Sequence, residues 1–217
     1  MRIVLLCLTM TFALNVHADD YPVFTNTLEG GEVTNSEDIG LISHKSLPLK
    51  IKVKTRSFSN KDKVKLVNAV KVLAKVMNSP EFKQEVLNFS YKGDRSFHQN
   101  NGMSNEEIYR HLMTGAEELS PEHNKTMDFD LTMYRSWNPF SKVKGYTKPD
   151  TMRIWVHSKY YRRASWDQIS VASNMAHEWV HKMGFGHAYY YNNDRPSSVP
   201  YAIGRIVSKV AKDLGLE

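Results

Sequence analysis

The stretch that decides the reading is His177-Glu178-Trp179-Val180-His181-Lys182-Met183-Gly184-Phe185-Gly186-His187. His177 and His181 stand four apart, so on a helix one imidazole lies a turn above the other on a single face. Two imidazoles so placed reach one metal ion at about 2.0–2.1 Å. Glu178 sits beside such an ion without binding it, where its carboxylate can take a proton from an activated water. Gly184 supplies the positive-φ residue that a sharply ending helix requires. Phe185-Gly186 then gives a short reversal, and His187 swings back as a third nitrogen. Three nitrogens leave a fourth tetrahedral position open. With 11 Gly and 9 His in 217 residues, chance meets both added offsets roughly once in 500 trials. Two plainer readings compete: a helix with surface histidines and no metal, and a metal site without catalysis. Glu178 argues against the second, because a purely structural site has no use for it.

The flanking sequence supplies the helix. Ser165 and Gln168 read as a capping box, and Ile169, Ala172, Ala176, Val180 and Met183 form an apolar stripe. Further upstream, Leu49, Ile51 and Val53 alternate with lysines as a strand with one wet face. Ser59 or Asn60 caps a helix whose apolar face is Leu66, Val67, Val70, Leu73, Ala74 and Met77. Asn78-Ser79-Pro80 stops it, and Pro80 starts a second short helix. Residues 90–103 read as a loop. Ser104 and Glu107 form another capping box, opening a helix with Ile108, Leu112 and Leu119 on one side. Phe129, Leu131 and Met133 alternate as a strand. So do Met152, Ile154 and Val156, with Arg153, Trp155 and His157 on the opposite face. Pro200 begins a last helix running toward Leu214. Strands and helices intermix without regular βαβ alternation, which predicts one α+β domain over residues 47–217 and argues against a doubly wound sheet.

Arg2, the apolar run from Ile3 to Leu14 and the closing Val16-His17-Ala18 read as a signal peptide over residues 1–18. Export, to a periplasm or out of the cell, is the expected destination. Cys7 lies inside that segment, so the processed chain lacks cysteine and relies on its core rather than on disulfides. Residues 19–46 are polar, include Gly30-Gly31, and read as a loose arm beginning with a short strand. No later stretch is apolar enough to span a bilayer, which needs about 20 residues, so stable membrane insertion is not expected. The formal charge of +6 is spread along the chain. That pattern favours a solvated basic surface over a nucleic-acid partner, and remains compatible with acidic partners such as cell-wall polymers or lipid headgroups.

The run from His177 to His187 resembles the extended zinc motif of the metzincin metallopeptidases. The resemblance covers these eleven residues. It implies zinc as cofactor, His177, His181 and His187 as its ligands, and Glu178 as general base. It also implies a zincin-like α+β fold: a twisted mixed sheet, an active-site helix beneath it, an edge strand lining the cleft, and a small C-terminal part. Residues 151–157 are the candidate edge, which an extended substrate can join through main-chain hydrogen bonds. Metzincins carry a methionine turn beneath the metal, whereas this chain has no methionine after Met183. Ser198-Val199-Pro200-Tyr201 stands where a compact version would lie, and no named metzincin family is assigned. Some metzincins use a tyrosine near that turn to assist the transition state. Tyr201 is the nearest counterpart by position, with Tyr189, Tyr190 and Tyr191 as rivals, and packing competes with catalysis as the role of each. Tyr91-Lys92-Gly93-Asp94 resembles the aspartate switch of astacins loosely and reads better as a plain turn.

The function expected from this resemblance is an exported zinc endopeptidase that hydrolyses protein or peptide substrates by a zinc-activated water. Two alternatives stay open: an exported metal-holding or surface-binding module without hydrolase activity, and a zinc amidase acting on cell-wall peptides.

Overall fold

The structure is a computed structural model that describes Val23–Thr25, Glu37–Ile42 and residues 49–216. The signal peptide, its cleavage after Ala18, and Cys7 lie outside the described residues. The fold is mixed α+β, with six α-helices among the described residues and a mixed sheet ordered β1 (Val23–Thr25), β2 (Glu37–Ile42), β3 (Lys50–Arg56), β4 (Thr126–Tyr134), β6 (Arg153–His157), β5 (Gly145–Thr147). Strands β3, β4 and β6 are parallel, while β5 runs antiparallel to β6 and β2 antiparallel to β3. Strands β1 and β2 fall within the segment read as an arm.

Alternation along β3 and β4 produces one dry face. Ile51 and Val53 pair in register with Met127 and Phe129, and Leu131 and Met133 with Ile154 and Val156. All eight are buried, and Lys50, Lys52 and Lys54 are exposed. Helices α1 (Asn60–Met77), α5 (Gln168–Lys182) and α6 (Val199–Asp213) share the same core, and α5 packs against both α1 and α6. Ser59 caps α1 through a reciprocal bond with Asp62. Ser79 caps α2 (Pro80–Asn88), and Ser104 with Glu107 caps α3 (Asn105–Leu112). A four-residue helix, α4 (Ser158–Tyr161), follows β6. Among the described residues no helix is long and apolar enough to cross a membrane.

Three expectations are corrected. The cap of α5 is Asp167, whose side chain accepts from the Ser170 amide, not Ser165; the carboxylate nearer the first turn takes the orphan donor. Helix α3 ends at Leu112 and does not reach Leu119, which is exposed. Gly115 adopts φ +68, where a Cβ would meet the Thr126 backbone nitrogen at 2.4 Å, so the chain turns tightly against β4 there. The edge strand is β5 rather than residues 151–157, because β6 is flanked by β4 and β5.

Candidate metal centre

Helix α5 places His177 and His181 on one face, with ring centroids 4.9 Å apart. Its end places the third histidine. Gly184 stands at φ +87, the Phe185 amide donates to Val180 O, and the Gly184 amide donates to His181 O. These two bonds form a Schellman stop, which turns the chain back toward the helix. Neighbouring segments satisfy other carbonyls at this end. The Glu118 amide donates to Lys182 O, the His111 ring donates to Met183 O, and Asn101 Nδ2 donates to Gly184 O. His187 then lies 4.8 Å from His181 and 5.5 Å from His177 between ring centroids.

Nitrogens of the three rings all lie within 4.8 Å of one another, and the cluster can hold a metal ion. A tetrahedral ion with bonds of about 2.0–2.1 Å needs nitrogens about 3.3 Å apart, closer than the 4.8 Å that bounds this set. The backbone fixes the tautomers of two of the rings. His181 Nδ1 bonds Phe185 O at 2.7 Å, and His187 Nδ1 bonds Ala188 O at 3.0 Å. A carbonyl oxygen only accepts, so each Nδ1 carries the proton and each Nε2 keeps a bare lone pair. Such carbonyl partners commonly orient metal-binding imidazoles. The Pro200 backbone interacts with the His177 ring and opposes the lowering of its pKa. Burial and the neighbouring imidazoles push His177 down to about 3. Burial, the nearby imidazole and Lys182 push His181 down to about 4, against the bond to Phe185. His187 is lowered by burial. Neutral imidazoles are the form that binds a cation.

Glu178 is 5% exposed, and burial pushes its carboxyl up to about 8, with Lys182 opposing. That value belongs to the metal-free site, since a dication nearby favours the carboxylate. Strand β5 covers this group closely: a Cβ on Gly145 would stand 3.2 Å from Glu178 Oε1 and 3.0 Å from Trp155 O. Lys182, one turn on, ties down the chain after β5 by donating to Lys148 O at 2.8 Å and to Thr151 O. The triad and Glu178 open on a cleft of about 1410 Å³, bordered by β5 on one side and the start of α6 on the other.

The tyrosines separate by position. The Tyr201 ring lies 4.5 Å from His177 and 4.8 Å from His187 between centroids. Tyr189, Tyr190 and Tyr191 are exposed, with Tyr189 and Tyr191 on the cleft rim. Ser198 to Tyr201 form the cap and first turn of α6, and Pro200 contacts the triad through its backbone. His157 is 2% exposed, accepts from the Lys159 amide and packs on Tyr134 and Tyr160, away from the cleft lining. Tyr91 and Asp94 close a plain turn by exchanging backbone bonds.

Sequence reasoning missed Glu117. This carboxylate is fully buried, and its Oε1 accepts from Trp179 Nε1 at 2.7 Å and from the Asp128 amide at 3.0 Å. It ties the helix carrying the triad to β4. No local sequence signal marks it, because its side-chain partner lies 62 residues away. No protein-family model matches the chain, and no curated protein matches it.

Proposed function

We propose that the protein is a zinc-dependent endopeptidase of metzincin-like design, exported through the signal-like segment at residues 1–18. The observation that carries this reading is the cluster of three neutral imidazoles with Glu178 buried beside it at the floor of a long cleft. Three imidazoles, two of them with carbonyl-fixed tautomers, suit zinc, and the donor set leaves a position open for catalysis. Zinc bound there supplies Lewis acidity, which makes a water nucleophilic at neutral pH and polarises a carbonyl oxygen. Glu178 takes the proton from the attacking water and passes it to the leaving amine. Tyr201, held against His177 and His187, donates its hydroxyl to the developing oxyanion. The free edge of β5 orders an extended substrate by main-chain pairing across the cleft.

The test uses the chain from Asp19 onward, loaded with zinc, incubated with a complex peptide mixture and read for new termini by mass spectrometry. Glu178→Gln is the comparator. New termini with the parent alone support the reading. Equal cleavage by both proteins overturns Glu178 as base. An inert parent that retains zinc overturns the peptidase reading in favour of a metal-holding module or an amidase.

A further inference from the structure

The cleft around the triad carries an unbalanced charge. Lys142, Lys144 and Lys148 line the side formed by β5 and its flanks; Arg163, Arg195 and Arg205 also line it. The acidic residues lining the same cleft are Glu118 and the buried Glu178. Elsewhere several cations have carboxylate partners: Arg56 with Asp130, Arg162 with Asp62, Lys92 with Asp194, and Lys209 with Glu85 and Asp213. None of the six cleft cations has a carboxylate partner among the described residues. Like charges gathered in a groove repel one another, and the low-dielectric walls focus their field outward. Arg195 adds a second observation. Its guanidinium lies 5.0 Å from the Tyr201 ring centroid, beside the triad, with Nη1 donating to Tyr189 O at 3.3 Å and no carboxylate partner among the described residues.

We propose that the cleft selects polypeptides with acidic side chains on both sides of the bond held at the triad. Their backbone pairs with β5, and their carboxylates meet Lys142 and Lys144 on one wall and Arg195 and Arg205 on the other. The inference rests on the peptidase reading for its substrate class. A polypeptide fits better than an anionic polysaccharide, because among the described residues no strand pairs with the outer edge of β5, which offers main-chain donors and acceptors along the cleft.

Binding separates this inference from catalysis. The probes are fluorescent peptides of equal length on an Ala/Gly frame, carrying glutamates, glutamines or lysines at the same positions. They are titrated into zinc-loaded Glu178→Gln by anisotropy at low and high salt. The glutamate peptide is expected to bind about tenfold tighter than the lysine peptide at low salt, with the gap shrinking as salt rises. Lys142→Glu with Lys144→Glu, both exposed positions, is expected to abolish that gap with no change in melting temperature. Equal binding of all three peptides, no binding of any, or an unchanged preference in the double variant overturns the proposal. Saturable binding of a polyanionic polysaccharide with none of the glutamate peptide also overturns it. Cleavage by the parent without charge preference sinks this inference and leaves the peptidase reading intact. Charge-selective binding with no cleavage does the reverse.

Discussion

Replacing Glu117 tests how the triad-bearing helix is anchored. The side chain is fully buried, and one oxygen serves two donors, Trp179 Nε1 and the Asp128 amide. Glu117→Leu fills much of the same space and leaves the buried Trp179 indole and the half-buried Asp128 amide without an acceptor. Each orphan costs about 1–3 kcal/mol, so the loss is about 2–6 kcal/mol. That is a large share of a typical domain stability of about 5–15 kcal/mol. Glu117→Gln keeps a carbonyl oxygen for both donors and is expected to stay within about 1 kcal/mol of the parent. Urea unfolding measures all three proteins. The pH dependence gives a second readout. Burial raises the Glu117 carboxyl above its usual range. Its contribution to stability is therefore full below the unfolded pKa, about 4.3, and is lost as pH rises through the raised folded value. Glu117→Gln lacks that loss, so its stability relative to the parent must grow with pH across the same window. Equal urea midpoints for the Leu and Gln variants would refute the anchoring role. A Gln-to-parent difference that stays flat with pH would refute the buried charge.

Three other substitutions probe separate parts of the site and its frame. Gly184→Ala forces a side chain into φ +87, with its Cβ 2.8 Å from Glu118 Oε1; a loss of about 1–2 kcal/mol in urea unfolding is expected, together with weaker zinc retention against a chelator as His187 is displaced. Tyr201→Phe keeps the ring against the histidines and removes the hydroxyl; zinc affinity should hold while kcat falls on the order of 10²-fold, as for loss of an oxyanion donor, and an unchanged kcat would make Tyr201 a packing residue. Asp62→Asn weakens the link from α1 to Arg162 and the cap of α1. Burial raises the Asp62 carboxyl, but bonds from Arg162 and Ser59 outweigh it and hold the group below its usual value. Its contribution is thus present above the unfolded pKa of about 3.9 and lost as pH falls through the folded one. The variant should be about 1–3 kcal/mol less stable than the parent at neutral pH, with the gap closing in acid when thermal unfolding is followed against pH.

What the sequence made legible is local. The His177/His181 spacing, the Gly184 stop and the Ser59 and Ser104 caps act within a few residues, so the chain alone displays them. The strand alternation at 49–53 and 127–133 survives because one sheet face meets the helices while the other is wetter. Strand β5 left no trace, since three residues cannot display a period; it exists by pairing with β6. His157 shared a face with Trp155 by alternation, yet Tyr134 and Tyr160 pack on it and it is buried. Asp167 caps α5 although Ser165 suits that role as well, because only the realised first turn chooses between them. The charge of the cleft was hidden for a different reason. Lys142 and Lys144 meet Arg195 and Arg205 across the fold, so in the chain they read as a diffuse basic surface.

The central claim is that His177, His181 and His187 hold one zinc with a position left open beside Glu178. X-ray absorption at the zinc edge of the dialysed, zinc-loaded chain tests it most directly, with His187→Ala measured alongside. The account predicts one zinc per chain, three imidazole nitrogens at about 2.0–2.1 Å with an additional light ligand, and loss of one imidazole or of the metal itself in the variant. Zinc that dialyses away from the parent, or an identical imidazole count in the parent and His187→Ala, would contradict it.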